Sequence, residues 1–295
     1  MLFLRNLTKT FDNVKAVEEV SLQVKNGDIY GFLGPNGAGK TTTIRMIMGI
    51  IQPDSGEIIF NGEDMNYSTR NNLGYLPEDR GLYQKQRIED ILHYFGLLRG
   101  LQISDVKYKT EKWLDRFQLT NQKKRKVEEL SKGNQQKVQF ILALFHEPEL
   151  IILDEPFTGL DPLNQILLKE IIQEYQNKGK TIIFSTHQME QVEQLCNNIC
   201  LINKGKIIVE GKLDEIQENH TSNNIEVRYS GFLRIEELEK YLTDVKMKNN
   251  KISGRLIVEA RKFIEWLNRK VDIAHYKMEV PTLEQIFINE VRESN

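Results

Sequence analysis

The chain has 295 residues, 40 Lys/Arg against 42 Asp/Glu, a formal net charge of −2 and 40% apolar residues. That length fits one large domain and a smaller one, and so even a charge gives no field over the whole surface for holding nucleic acid or an anionic membrane. Two cysteines, Cys196 and Cys200, exclude a disulfide framework and suit a reducing compartment. Their i, i+4 spacing predicts one helix face, where without a nearby His or Cys they read as small core residues.

The N-terminus has no basic stretch ahead of a long apolar run, and no run of about 18 apolar residues occurs. Neither a signal peptide nor a membrane span is expected, and a membrane role would run through a partner. Short β-branched runs predict strands at 2–4, 20–24, 29–33, 57–60, 150–153, 181–185, 199–202 and 206–210. The continuous apolar runs at 150–153 and 182–184 suit strands covered on both faces, as in a parallel sheet. The early strands, with turn signals at Asn26-Gly27 and Asn61-Gly62, look like an antiparallel region built onto that core.

From about 83 to 145 the pattern is helical. Ile88, Ile91, Leu92 and Phe95 form one apolar stripe, and Trp113, Leu114 and Phe117 another; core packing is the reading for both. Residues 220–224 are polar and predict a linker. Beyond it come a strand at 225–229, a helix at 234–242, a strand at 245–249, a turn through Ser253-Gly254, a strand at 255–260, a helix at 262–269 and a strand at 275–280. This is the βαββαβ order of a ferredoxin-like unit. A last helix starts at Pro281-Thr282, with Gln285 as the capping-box partner of Thr282.

Gly34, Pro35, Asn36, Gly37, Ala38, Gly39, Lys40 and Thr41 match the P-loop spacing in full. A strand leads in and a helical stretch, 42–50, leads out, with Gly49 placed to end it. Such a loop aims backbone N–H groups and a helix dipole at phosphate oxygens. Lys40 is expected on the β- and γ-phosphates, the Thr41 hydroxyl on Mg²⁺, and Thr42 completes the nucleotide-binding set. A glycine-rich turn without ligand would not account for this strand–loop–helix setting. Asp154 and Glu155 end the apolar strand at 150–153, where ligands of open α/β sheets bind. Asp154 is read as a Mg²⁺ carboxylate, direct or through water, and Glu155 as the general base on the attacking water. Taken alone, paired acids there are as often a helix cap or a solvated loop.

Leu130-Ser131-Lys132-Gly133-Asn134-Gln135-Gln136 resembles the LSGGQ-type signature of ATP-binding cassette (ABC) proteins, and it lies upstream of Asp154 as in that family. Gly159-Leu160-Asp161 looks like the family's D-loop, and Ser185-Thr186-His187 like its switch histidine. Phe11 sits where the family stacks an aromatic on adenine. The resemblance covers 1 to about 217. It implies an α/β P-loop NTPase fold, the ABC nucleotide-binding domain with antiparallel β and helical subdomains (the helical part at about 83–145), followed by a small α+β ferredoxin-like domain at 225–295. It implies ATP and Mg²⁺ as cofactors, and a head-to-tail homodimer. In that dimer each ATP lies between the P-loop of one copy and Ser131 and Gly133 of the other, with Asp161 among the binding residues. His187 would bond the γ-phosphate and act beside Glu155.

Two departures stand out. In Gly74-Tyr75-Leu76-Pro77-Glu78-Asp79-Arg80, Glu78 occupies the place of a usual glutamine, and one bacterial branch of ABC subunits is similar here. A carboxylate there can still ligate Mg²⁺. Lys132 and Asn134 stand inside the signature, Lys132 either adding charge near the phosphates or simply solvated. Pro281 to Phe287 also resembles that branch, whose members serve exporters of sodium, drugs or peptides with separately encoded membrane partners. The expectation is an ATP-hydrolysing subunit, cytoplasmic and peripheral on the inner face of the membrane. It would drive an integral membrane permease whose short helix docks on residues 83–117. The alternative is a soluble ABC ATPase acting on ribosomes or DNA. With no second cassette, coiled-coil insertion or basic tail, and 13 Lys/Arg against 12 Asp/Glu in 225–295, no nucleic-acid partner is expected.

Overall fold

In the computed structural model, which describes residues 1–79, 81–220, 223–278 and 281–293, the chain forms two units, Met1–Leu213 and Asp214–Asn295. Thr221 and Ser222 of the expected linker, Glu279 and Val280 of the expected last strand, and Arg80 near Glu78 lie outside the described residues. No helix among those described is long and apolar enough to cross a membrane.

The first unit opens with β1 (Leu2–Phe11), β2 (Val14–Val24) and β3 (Ile29–Leu33), then α1 (Lys40–Ile47), β4 (Ser55–Phe60), β5 (Glu63–Asp64), α2 (Tyr67–Arg70) and β6 (Leu73–Leu76). There follow α3 (Ile88–Leu98), α4 (Ile103–Arg116), α5 (Lys132–Leu144), β7 (Leu150–Asp154) and α6 (Pro162–Asn177). The unit ends with β8 (Thr181–Thr186), α7 (Met189–Leu195), β9 (Asn198–Asn203) and β10 (Lys206–Lys212). One sheet runs β2-β1-β4-β5 and the other β10-β9-β3-β8-β7-β6. Strands β3, β7 and β8 are buried at every residue, which is why their sequences are apolar without alternation. They pair parallel at the centre of the second sheet.

β1 and β2 run well beyond the expected 2–4 and 20–24. Their outer halves carry polar, exposed residues, and register shifts after Leu4, Leu7 and Lys9 break the alternation that marks a strand. β6 has no counterpart in the predicted strands, being four residues of the stretch that bears Glu78. It pairs parallel with β7. Gly74 lets α5 pack close against β6, since a Cβ there would lie 2.1 Å from the Ala143 carbonyl oxygen. In chain order α3, α4 and α5 come between β6 and β7. Trp113, Leu114 and Phe117 are buried, with Phe117 stacked on Trp113 at 5.9 Å and edge-on to Phe140 at 6.1 Å, the core packing their spacing predicts. Cys196 and Cys200 are buried but do not share a helix. Cys196 caps α7 in extended geometry and Cys200 lies in β9, because the chain leaves the helix to pair Asn198 with Tyr30 of β3.

α8 (Leu213–Asn219) begins at the boundary between units. The second unit continues with β11 (Asn224–Ser230), α9 (Ile235–Leu238), β12 (Leu242–Lys248), β13 (Lys251–Leu256), α10 (Ala260–Asn268), β14 (Asp272–Met278) and α11 (Leu283–Glu293). The order β12-β13-β11-β14, antiparallel throughout, is the ferredoxin-like arrangement. Its elements fall differently from expectation. The tight turn is Asn249-Asn250, with φ of 51° and 57°, and not Ser253-Gly254, which sit inside β13. Two successive positive φ values match the twist of a hairpin, and asparagine tolerates them. The expected helix at 234–242 is a single turn, because Leu242 opens β12 opposite Leu256. Leu238 and Leu242 mimic a helical repeat while burying their side chains from different elements. The capping box at the last helix is present: Gln285 Oε1 accepts the Thr282 N–H at 3.0 Å and Thr282 Oγ1 accepts that of Gln285 at 3.3 Å.

Candidate nucleotide site

The loop from Gly34 to Gly39 leaves the central strand β3 and delivers the chain into α1 at Lys40. Two of its glycines are sterically required. A Cβ on Gly34 would lie 2.2 Å from the Ile202 carbonyl oxygen, and one on Gly39, at φ 108°, 2.4 Å from that of Ala16. Lys40 folds back into the loop, where its Nζ donates to the carbonyls of Gly34 at 2.7 Å and Pro35 at 3.1 Å. Burial lowers its amine below the usual lysine range, and the carboxylates of Glu155, Asp154 and Glu78 pull the other way. Thr43 Oγ1 ties the helix start to Gly39 O at 2.9 Å. Residues 36–42 with Ala16, Glu78 and Glu155 line a cleft of about 350 Å³.

Asp154 is fully buried at the end of β7. The Ser185 hydroxyl donates to its Oδ1, while its Oδ2 is buried with no hydrogen-bond partner. Burial pushes its carboxyl above the usual range against the hydrogen bond from Ser185, and Glu78 and Glu155 push it further. Glu78 follows β6 at the same sheet end, where the Thr41 hydroxyl reaches its Oε2 at 3.5 Å.

Glu155 stands at φ 50°, a left-handed backbone that costs a non-glycine residue about 1–3 kcal/mol. Its N–H donates to Ser185 O at 3.1 Å. Its Oε1 accepts the His187 N–H at 3.1 Å and lies 2.8 Å from His187 Nδ1, and its Oε2 accepts from Thr186 Oγ1 at 3.3 Å.

Phe11, Ser131, Gly133 and Asp161 are not among the residues lining the cleft. Phe11 is 43% exposed near the tip of the β1–β2 hairpin, with Lys9 Nζ 5.6 Å from its ring centroid. Ser131 caps α5, accepting the Asn134 N–H at 3.3 Å, with Lys132 and Gly133 in the first turn. Asp161 caps α6 and accepts the Asn164 N–H at 3.0 Å, which holds its carboxyl below the usual range. Sequence reasoning missed Ser185 and Thr186 as partners of the two acids. The pairing of Asp154 with Ser185 follows from laying the two apolar runs side by side in parallel. It also missed Ala16, which no local signal marks.

The buried acid carries a pH prediction. Asp154 titrates above its unfolded value of 3.8, so the native chain holds this proton more tightly than the unfolded one. Stability from this group is therefore greatest at low pH and falls as pH rises from the unfolded value through the folded one. In nucleotide-free protein, Asp154→Asn is expected to melt higher than the parent at neutral pH and to flatten that fall. Melting temperatures taken across about pH 4 to 8 read this, and a variant that melts lower at neutral pH would contradict it.

Two family models match the chain. The family model described as ABC transporter matches residues 17–158, and that described as the C-terminal domain of DrrA1-3-like ATP-binding proteins matches 211–291. The ABC transporter ATP-binding protein YhaQ of Bacillus subtilis strain 168 is 42% identical over 99% of this chain and 98% of its own length. The ABC transporter ATP-binding protein NatA of the same strain is 37% identical over 76% of this chain and 95% of its own. A solved ATP-binding subunit of an ABC transporter superposes with a TM-score of 0.70 at 32% identity, covering 74% of this chain and 92% of that one. Likeness at that identity, sustained nearly from end to end in YhaQ, means that the chain belongs to the ABC transporter family, among its ATP-binding, ATP-hydrolysing subunits.

Proposed function

We propose that the cleft binds ATP with Mg²⁺, that two copies of the chain close head to tail over two such nucleotides, and that their hydrolysis drives a separately encoded membrane exporter. The observation that carries the metal and nucleotide reading is the buried, unpartnered Oδ2 of Asp154 beside the P-loop. An orphaned carboxylate oxygen is costly unless a cation or a donor arrives. Asp154, the Thr41 hydroxyl and Glu78 are hard oxygen donors of the kind Mg²⁺ takes. When bound, the ion supplies charge neutralisation at the β- and γ-phosphates.

On this reading Lys40 exchanges its two loop carbonyls for phosphate oxygens. Residues 36–42 offer backbone N–H groups, and Phe11 stacks on the adenine. Glu155 takes a proton from the attacking water, and His187 turns to the γ-phosphate. Ser131 and Gly133 of a second copy cap the γ-phosphate from the start of their helix, with Asp161 close by. In one copy they lie outside the cleft lining, so this reading needs the second copy to supply them.

The docking surface for the permease is the flank of α3. Tyr83, Tyr94, Leu97 and Leu98 are exposed there, and Tyr83, Gln86, Asp90, Ile91 and Tyr94 line a cavity of about 400 Å³. Exposed aromatics around a cavity are the usual anchor points of an interface. On this reading the chain sits on the cytoplasmic face of the membrane. The test is affinity purification of the tagged chain from its own cells. A polytopic membrane protein is expected to accompany it, at least tenfold depleted by Tyr94→Glu with Leu98→Glu while ATP turnover of the isolated subunit persists. Recovery of ribosomes or DNA alone would favour the soluble-ATPase alternative.

A further inference from the structure

The near-neutral composition of the second unit conceals a one-sided distribution. Its sheet buries Val227, Tyr229 and Ile252 on one face under the helices. On the other face the register sets Lys248, Lys251, Arg228 and His275 side by side across all four strands. The next row holds Lys246 and Lys277 at its two ends, with Ser253 and Glu226 between, and Arg255 follows beyond. Six Lys/Arg thus share one face, all but the half-buried Lys251 exposed, at strand spacings of about 4.8 Å. Among the described residues of these rows Glu226 is the one carboxylate, and it is already taken by Lys251 at 2.6 Å and Arg228 at 3.9 Å.

The longest basic run in the sequence, 123–126, differs in kind. There Lys123 pairs with Glu111, Arg125 with Glu129 and Lys126 with Glu128, so the run is largely neutralised where it stands. The sheet face is not. Lysines at 246 and 248 also protect β12 as an edge strand, but Arg228 and Arg255 lie on inner strands, where edge protection has no use for them.

We propose that this open sheet face is a docking surface for acidic phospholipid headgroups, a contact beyond the nucleotide and permease reading and independent of it. A cluster of four to eight basic side chains is the usual footprint of such a surface. The rows carry no Phe, Tyr or Trp and no aliphatic side chain, His275 being the one ring, so the face offers no run of stacking platforms for nucleobases and nothing to insert into an apolar groove. A broad array of cations without a pocket fits a broad array of anions.

The test is co-sedimentation of the full chain with vesicles of phosphatidylcholine alone or with about 30% phosphatidylglycerol, where each basic contact is worth about fivefold in binding. Binding is expected to the acidic vesicles only, and to fall at least about tenfold between about 50 and 300 mM salt. Lys246→Glu with Lys248→Glu and Arg255→Glu should abolish it. The milder Lys246→Gln with Lys248→Gln should weaken it about tenfold or more with melting temperature and ATP turnover unchanged, which separates lost contact from lost folding. Lys124→Glu with Lys126→Glu should leave it intact. The proposal is overturned by no binding to acidic vesicles at low salt, by binding that survives the face variants, or by preference for a labelled RNA or DNA strand over vesicles.

Discussion

Glu155→Gln is expected to bind ATP like the parent and to lose turnover by about a hundred- to ten-thousandfold, the contribution typical of a positioned general base. The residue is 7% exposed and lines the cleft, and glutamine fills the same volume. The change therefore removes proton acceptance and little else. It also removes the event that would reopen the pair of subunits, so an ATP-loaded dimer should accumulate on size-exclusion chromatography while the parent remains monomeric or exchanges rapidly. Steady-state phosphate release and the elution profile together read both effects. Turnover at the parent's rate would overturn the assignment of Glu155, whatever the oligomeric state.

Lys40→Ala comes second in expected size and acts on a different quantity. Charge-assisted hydrogen bonds to a buried site contribute about 1.5–3 kcal/mol each, so ATP affinity should fall about ten- to a hundredfold. Fluorescent-nucleotide titration with and without Mg²⁺ reads it. In the nucleotide-free chain the same substitution leaves the carbonyls of Gly34 and Pro35 without their donor and takes a cation from beside Asp154 and Glu155. Affinity equal to the parent's would remove Lys40 from the binding set.

The P-loop and the two acids were legible in the sequence because what they need is local. Two glycines must admit carbonyls of Ile202 and Ala16, a helix must begin at Lys40, and an apolar strand must end in a carboxylate. What was illegible depends on pairing at a distance. β6 exists because β7 is beside it, and without β7 the residues Leu73-Gly74-Tyr75-Leu76 carry no strand pattern of their own. Ala16 enters the cleft because the β1–β2 hairpin, with its shifted register, reaches over the loop. In the second unit the βαββαβ order was readable, yet its hairpin fell elsewhere. Gly254 drew attention as a turn residue, whereas it sits inside β13 with the Thr243 carbonyl 3.0 Å from where its Cβ would be. The glycine relieves crowding between strands and turns nothing.

The hold of residues 186 and 187 on Glu155 bears on how an idle subunit behaves. A carboxylate has about four lone-pair positions, and three are occupied by Thr186 Oγ1, the His187 N–H and His187 Nδ1. With a proton on Nδ1 facing that oxygen, the outward Nε2 of a neutral ring is bare and has nothing to donate to a phosphate. On the proposed roles, base and sensor therefore occupy each other until the ring swings away. On those same roles, a lone copy holding a nucleotide still has this carboxylate engaged by its own chain, and hydrolysis waits on the movement of the His187 ring.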